Sequence, residues 1–438
     1  MDLHVNILYD SITNTLKRRP SLNLKLFKSR NNSKEGKVRR HVPVGTGEYT
    51  VGCFDVMCDP SHSGSFFRLF YPTTKTDILK RDKQWPLWMP RKQYGQGLAD
   101  FLGRNPKVFG KVFNWMGGDV YVPALWQGPI CPSNNKFPVV IFSHGLGGNR
   151  TVNTTICCEL ASQGFIVAAV EHRDGSASMT YHLKENIDRN SVMEIDEDNS
   201  PRRHTIHRTH LYSENWIPYQ RIEPLDDFQF RNKQVHHRAE ECIKALDVLF
   251  ALNNGDEVHN SMLGAHFNIK QFVNRLDLSR VSVMGHSFGG STSLCTLSRD
   301  QRFKVGVVLD GWMHPLDEEI YKNVNQPVLM INMDTFQWKE NVLQMFKFNK
   351  KDVEQKVITI KGTCHQSVTD FQFLVNKALG RILDVRYTLS PKIAIDVCNK
   401  AYLGFLWKHL NIPNKDLHRE ILYDDHDLVI QGTNVDLT

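Results

Sequence analysis

The residues best suited to chemistry are Gly285-His286-Ser287-Phe288-Gly289. A serine hydroxyl attacks a carbonyl carbon only when a base takes its proton and an acid orients that base. The pentapeptide is preceded by the apolar Val281-Ser282-Val283-Met284 and followed by a helix pattern from about Gly290. That context predicts a sharp strand-to-helix turn with Ser287 presented as a nucleophile, where a bare G-x-S-x-G would be only a turn serine. In chain order the acid and then the base should follow the serine. His314 follows Ser287 too closely to come from a separate late loop. His365 comes after a strand pattern (Val357 to Ile360) and the Gly362-Thr363 turn, and it precedes a helix pattern running from about Gln366 to Leu383. It is the expected base. Asp310 and Asp334 each close an apolar strand pattern, and either could hold the imidazole. Spacing does not choose between them.

A developing oxyanion needs backbone donors. The loop Ser143-His144-Gly145-Leu146-Gly147-Gly148 follows the apolar run 137–142 and stands where one such N–H is expected, with the N–H of Phe288 as the second. The same loop lacks the spacing of a nucleotide-phosphate cradle. His204, His207 and His210 recur every third residue, but Arg202, Arg203 and Arg208 among them oppose cation binding, so they read as surface histidines. Cys364 beside His365 reads as packing. No cofactor and no metal is expected.

Around these residues runs a repeating strand–turn–helix rhythm. Strands are predicted at 137–142, 164–170, 281–284, 303–309, 327–333 and 357–360, with helices at about 151–163 and 232–253. The continuously apolar strands suit burial on both faces, and their alternation with helices implies right-handed βαβ units in a mostly parallel sheet. Together with the serine turn, this predicts an α/β-hydrolase fold. Residues 65–72 read as a further strand, 85–122 as a Trp- and Gly-rich region with two short amphipathic helices, and 183–230 as a polar excursion from the core.

The chain of 438 residues is 41% hydrophobic and 23% charged, which excludes collagen-like, disordered and disulfide-scaffold classes. No apolar run approaches the ~20 residues of a membrane-spanning helix. Ten Lys/Arg against Asp2, Asp10 and Glu35 in residues 1–41 account for the whole net charge of +7. The expected organisation is a basic extension over 1–44, a catalytic domain over 45–415 and a tail over 416–438. Nucleic-acid binding by the neutral body is not expected. Nine scattered cysteines and the lack of a secretory or myristoylation signal point to a cytoplasmic protein.

Val51-Gly52-Cys53, LWMP at 87–90, FSHGLG at 142–147, GFIVAAVEHRD at 164–174, RNKQV at 231–235, GHSFGG at 285–290, LDGWMHP at 309–315 and His365-Gln366 together resemble the platelet-activating-factor acetylhydrolase family, the group VII phospholipases A2. The resemblance runs from about Val51 to Leu410. It implies Asp310 as the acid and the amides of Leu146 and Phe288 as the oxyanion donors. It also implies calcium-independent hydrolysis of an acetyl or short, oxidised sn-2 chain of a phospholipid, carried out on a membrane or lipid-particle surface. Leu98, Phe101 and Leu102, and Phe371 and Leu374, are then expected to dip into that surface; Val108, Val112, Trp115 and Met116 form another apolar stripe. The alternatives are a general short-chain carboxylesterase and a non-catalytic lipid-binding homologue.

Overall fold

The computed structural model describes residues 38–59, 64–133, 135–185, 212–262, 267–374, 388–413 and 417–438. The strands are β1 (Thr50–Cys58), β2 (Ser65–Thr73), β3 (Leu125–Trp126), β4 (Phe137–Ser143), β5 (Ile166–Val170), β6 (Met179–Glu185), β7 (Tyr212–Pro218), β8 (Leu276–His286), β9 (Phe303–Leu309), β10 (Val328–Met333), β11 (Gln355–Ile360) and β12 (Val429–Gln431). The helices are α1 (Lys92–Phe101), α2 (Pro106–Gly117), α3 (Thr154–Ser162), α4 (Phe228–Asn254), α5 (Phe288–Arg299), α6 (Glu318–Asn323), α7 (Lys339–Phe346), α8 (Phe371–Leu374), α9 (Pro391–His409) and α10 (Arg419–Tyr423).

Ten strands form one sheet in the order β12-β11-β10-β9-β8-β4-β5-β2-β1-β3. From β11 to β5 every pairing is parallel, while β12 joins β11, β2 joins β5 and β1 joins β2 antiparallel. β4, β5 and β10 are buried along their whole length, as their unbroken apolar runs require, because both sheet faces are covered. One layer, with α3 and α9, packs Ile156, Leu160, Tyr402 and Leu406 against one face. The other, with α4 and α5, packs Val235, Leu246, Leu249 and Leu294 against the opposite face. This is the α/β-hydrolase architecture that the serine turn and strand rhythm imply.

Some boundaries differ from the sequence reading. The helix expected at 232–253 begins at Phe228, since Asp227 caps it by accepting the Phe230 N–H at 2.7 Å, and it ends at the left-handed Gly255 (φ 82°). The short strand 281–284 lies within the eleven-residue β8, which runs on to His286. The polar excursion opens with β6 paired to β7 in a separate hairpin packed on α1 through the Tyr94–Trp216 ring contact. Its residues 186–211, with His204, His207 and His210, lie outside the described residues, as do 1–37 and 375–387. The body starts before residue 45, because Val42 is fully buried and Arg40 donates to the Met116 and Leu374 carbonyls at 2.8 and 2.9 Å. Nor is 417–438 a loose tail: it supplies α10 and the sheet strand β12, whose carbonyl and amide groups find partners on β11.

Candidate active site

Ser287 occupies the turn between β8 and α5 with φ 57° and ψ −118°, a conformation non-glycine residues rarely adopt. The turn is tight enough that a Cβ on Gly289 would lie 2.1 Å from the Ser143 carbonyl oxygen, and one on Gly285 would lie 2.0 Å from that of Gly289. Both glycines are therefore fixed by the close passage of backbone. The turn is tied to the neighbouring strand by the Ser287 N–H donating to the Leu309 carbonyl at 2.9 Å.

Asp310 directly follows β9 and also has a positive φ, 50°. Its Oδ2 lies 2.6 Å from His365 Nδ1 and its Oδ1 accepts the Met333 N–H at 2.7 Å. Asp334 is engaged elsewhere. It accepts the Gly362 N–H at 2.7 Å and the Asn434 amide at 2.7 Å, bracing the loop that carries His365. Burial acts on both members of the contacting pair, pulling His365 down to about 3 and pushing Asp310 well above the usual carboxylate range. His365 is thus held neutral.

Ser287 and His365 line one cavity of about 90 Å³. Among the described residues no hydrogen bond joins their side chains. Leu146 also lines the cavity, and among the described residues neither its N–H nor that of Phe288 donates to the protein. A larger cleft of about 500 Å³ between Phe228, His314 and Trp338 contains none of these residues. Among the described residues no group of three or more His, Cys, Asp or Glu side chains is placed to hold a metal ion, and no helix is long and apolar enough to cross a membrane.

Leu98, Phe101, Leu102 and Phe371, expected at a lipid surface, wall the cavity. Leu98 and Leu374 are buried, at 5% and 8% exposure, while Phe101, Leu102 and Phe371 are half-buried. The exposed apolar face lies on α2, where Val108 is 58% and Trp115 62% exposed, with Phe109 and Val112 beside them. Phe113, on the other face of α2, reaches the cavity.

Several residues near the site take roles that their sequence motifs did not assign. His286 donates from Nε2 to the His365 carbonyl at 3.1 Å, linking the serine turn to the histidine loop. Trp88 donates to Asp370 at 2.7 Å, and the Asp370 carboxylate caps α3 through the amides of Thr154 and Thr155, both at 2.9 Å. Beneath the 143–148 loop is a second serine–histidine–carboxylate array: Ser143 Oγ to His172 Nε2 is 2.8 Å, and His172 Nδ1 to Glu241 is 2.7 Å. These partners are 29 and 69 residues apart, beyond the reach of any local pattern.

Residues 34–435 match the family described as "Platelet-activating factor acetylhydrolase, isoform II". The chain is 40% identical over 400 residues to the platelet-activating factor acetylhydrolase of Canis lupus familiaris, covering 91% of this chain and 84% of that one. It is also 40% identical to that of Gallus gallus, again over 91% of this chain and over 90% of that protein. A putative phospholipase A2 of Schizosaccharomyces pombe is 26% identical over 426 residues, 84% of this chain and 87% of that one. Among solved structures, a ferulic acid esterase from Streptomyces cinnamoneus superposes with a TM-score of 0.56 at 18% identity, over 85% of this chain and 93% of that chain, a likeness of fold. With the α/β-hydrolase sheet, the serine turn and these relatives in agreement, the chain belongs to the platelet-activating factor acetylhydrolase family.

Proposed function

We propose that this protein hydrolyses the sn-2 acetyl or short, oxidised acyl ester of platelet-activating factor and related phospholipids, without calcium, through Ser287, His365 and Asp310. His365 takes the hydroxyl proton as Ser287 Oγ attacks the ester carbonyl, and Asp310 steadies the resulting imidazolium through Nδ1. The amides of Leu146 and Phe288 receive the oxyanion, each contributing on the order of 3 kcal/mol. The imidazolium then protonates the leaving lysophospholipid oxygen. Water, deprotonated by the same imidazole, releases the acyl group and restores the serine. The observation that carries this reading is the strained Ser287 sharing a small cavity with a histidine whose far nitrogen is 2.6 Å from a buried carboxylate.

A cavity of about 90 Å³ suits a short acyl chain and leaves the rest of the phospholipid outside. The exposed face of α2 is the natural support for that remainder, since Val108, Phe109, Val112 and Trp115 are flanked by the exposed Lys107 and Lys111. Turnover of acetyl-phospholipid in excess chelator, on monomers and on vesicles, tests the proposal. Chelator-resistant hydrolysis that shortens as the sn-2 chain lengthens is expected. Equal rates on soluble short-chain esters with no gain from vesicles would mean a general carboxylesterase, and absence of turnover with no labelling by a fluorophosphonate would mean a binding protein.

A further inference from the structure

We infer that Arg238 is a positioning residue for both oxyanion donors and supplies the fixed positive charge beneath them. This rests on the reading of Leu146 and Phe288 as those donors. Arg238 lies on α4 and is completely buried. Its Nη2 donates to the His144 carbonyl and, at 3.2 Å, to Ser143 Oγ. Nη1 donates to Ser176 Oγ at 2.6 Å and Nε to Thr292 Oγ1 at 2.9 Å. Its guanidinium carbon stands 4.6 Å from the centre of the Phe288 ring.

Each partner lies near a donor, along the chain or through one further hydrogen bond. His144 precedes the Gly145-Leu146 step, and the Ser176 carbonyl accepts the Gly147 N–H at 2.8 Å, so the loop is gripped on both sides of Leu146. Thr292 Oγ1 in turn donates to the Phe288 carbonyl at 2.9 Å, fixing the first turn of α5. One rigid fork thus sets the relative placement of two amides that come from different elements. The Ser143 hydroxyl that accepts from Arg238 donates its own O–H to Nε2 of the neutral His172, whose Nδ1–H faces Glu241, so every group in the array is satisfied.

The charge itself is unusual. Among the described residues no carboxylate oxygen lies within 4.0 Å of the guanidinium, which is bonded only to neutral oxygens. A buried cation whose nearest carboxylates, Asp174 and Glu241, act on it only from beyond direct contact is unfavourable for folding. It becomes useful where an anion forms during reaction in the same low-dielectric region, because the field is already in place when the carbonyl oxygen acquires its charge.

The test compares wild type with Ser287→Ala, Arg238→Gln and Arg238→Lys, measuring kcat, KM and inhibition by a trifluoromethyl ketone, whose serine adduct carries the oxyanion. For folded Arg238→Gln, kcat should fall on the order of 10- to 100-fold with KM within about twofold, and the inhibition constant should rise in step. Arg238→Lys, which keeps the charge but not the fork, should recover part of the loss. Wild-type kcat and inhibition in folded Arg238→Gln overturn the inference while leaving the nucleophile intact. Should that variant not fold, Ser176→Ala combined with Thr292→Val loosens the same grip; a several-fold loss of kcat supports the inference, and wild-type values overturn it. An active Ser287→Ala would instead remove the reading on which it rests.

Discussion

Two serine–histidine–carboxylate arrays stand close together in this chain, and the buried one has the more complete hydrogen bonding. Ser143, His172 and Glu241 are joined at 2.8 and 2.7 Å, whereas of Ser287, His365 and Asp310 only the latter two are joined, at 2.6 Å. Yet Ser143 ends a regular strand, is 0% exposed, and is absent from the wall of the cavity. Ser287 instead sits on a turn of positive φ that opens into that cavity. Completeness of hydrogen bonding therefore does not select the triad we propose as reactive. Access for a carbonyl carbon and a pair of unspent amides do.

This contrast can be broken most directly at the two serines. Ser287→Ala should lose activity by about 10⁴-fold or more and all fluorophosphonate labelling, while Ser143→Ala should keep its labelling and lose only a few-fold in kcat. Labelling that persisted in Ser287→Ala and vanished in Ser143→Ala would invert the assignment. The acids sharpen it next. Asp310→Asn should cost about 10³- to 10⁴-fold in kcat. Asp334→Asn, which still offers one acceptor to Gly362 or Asn434, should stay within about tenfold. Glu241→Gln should show itself in thermal or denaturant unfolding, by about 1–3 kcal/mol, more than in the rate.

A smaller effect is expected at the helix surface. Trp115→Ala with Val108→Ser should reduce turnover on vesicles by roughly tenfold and leave monomeric substrate unaffected, since both side chains face solvent. The smallest concerns pH. Because burial lowers His365, its proton-accepting form survives to lower pH than an ordinary histidine's, so the acid limb of kcat/KM should have its midpoint below pH 6.5. A midpoint above 6.5 would show that the Asp310 carboxylate outweighs desolvation.

What could be read from the sequence was whatever is local along the chain. The serine turn is visible because strand, pentapeptide and helix are contiguous, and His365 because it follows a strand and a Gly-Thr turn. Asp310 and Asp334 end adjacent strands of one parallel sheet, so their spacings from Ser287 are equally reasonable. What separates them is the capture of Asp334 by Gly362 and Asn434, the latter 100 residues away. The apolar stripes of α1 and α2 were visible too, but which one meets the cavity and which meets solvent is decided by how the pair packs, and the stripe alone does not carry that information. Arg238 reads as one more polar position in a long helix, because its partners lie 54 to 95 residues away.

The hold of Asn434 on Asp334 has a practical bearing. Through one carboxylate, the residues after β12 are mechanically coupled to the backbone that presents the imidazole. Shaving the chain just beyond Gln431, or crowding that end with a fused domain, is accordingly expected to slow the chemistry without touching the cavity. Purification handles and reporters are better attached elsewhere.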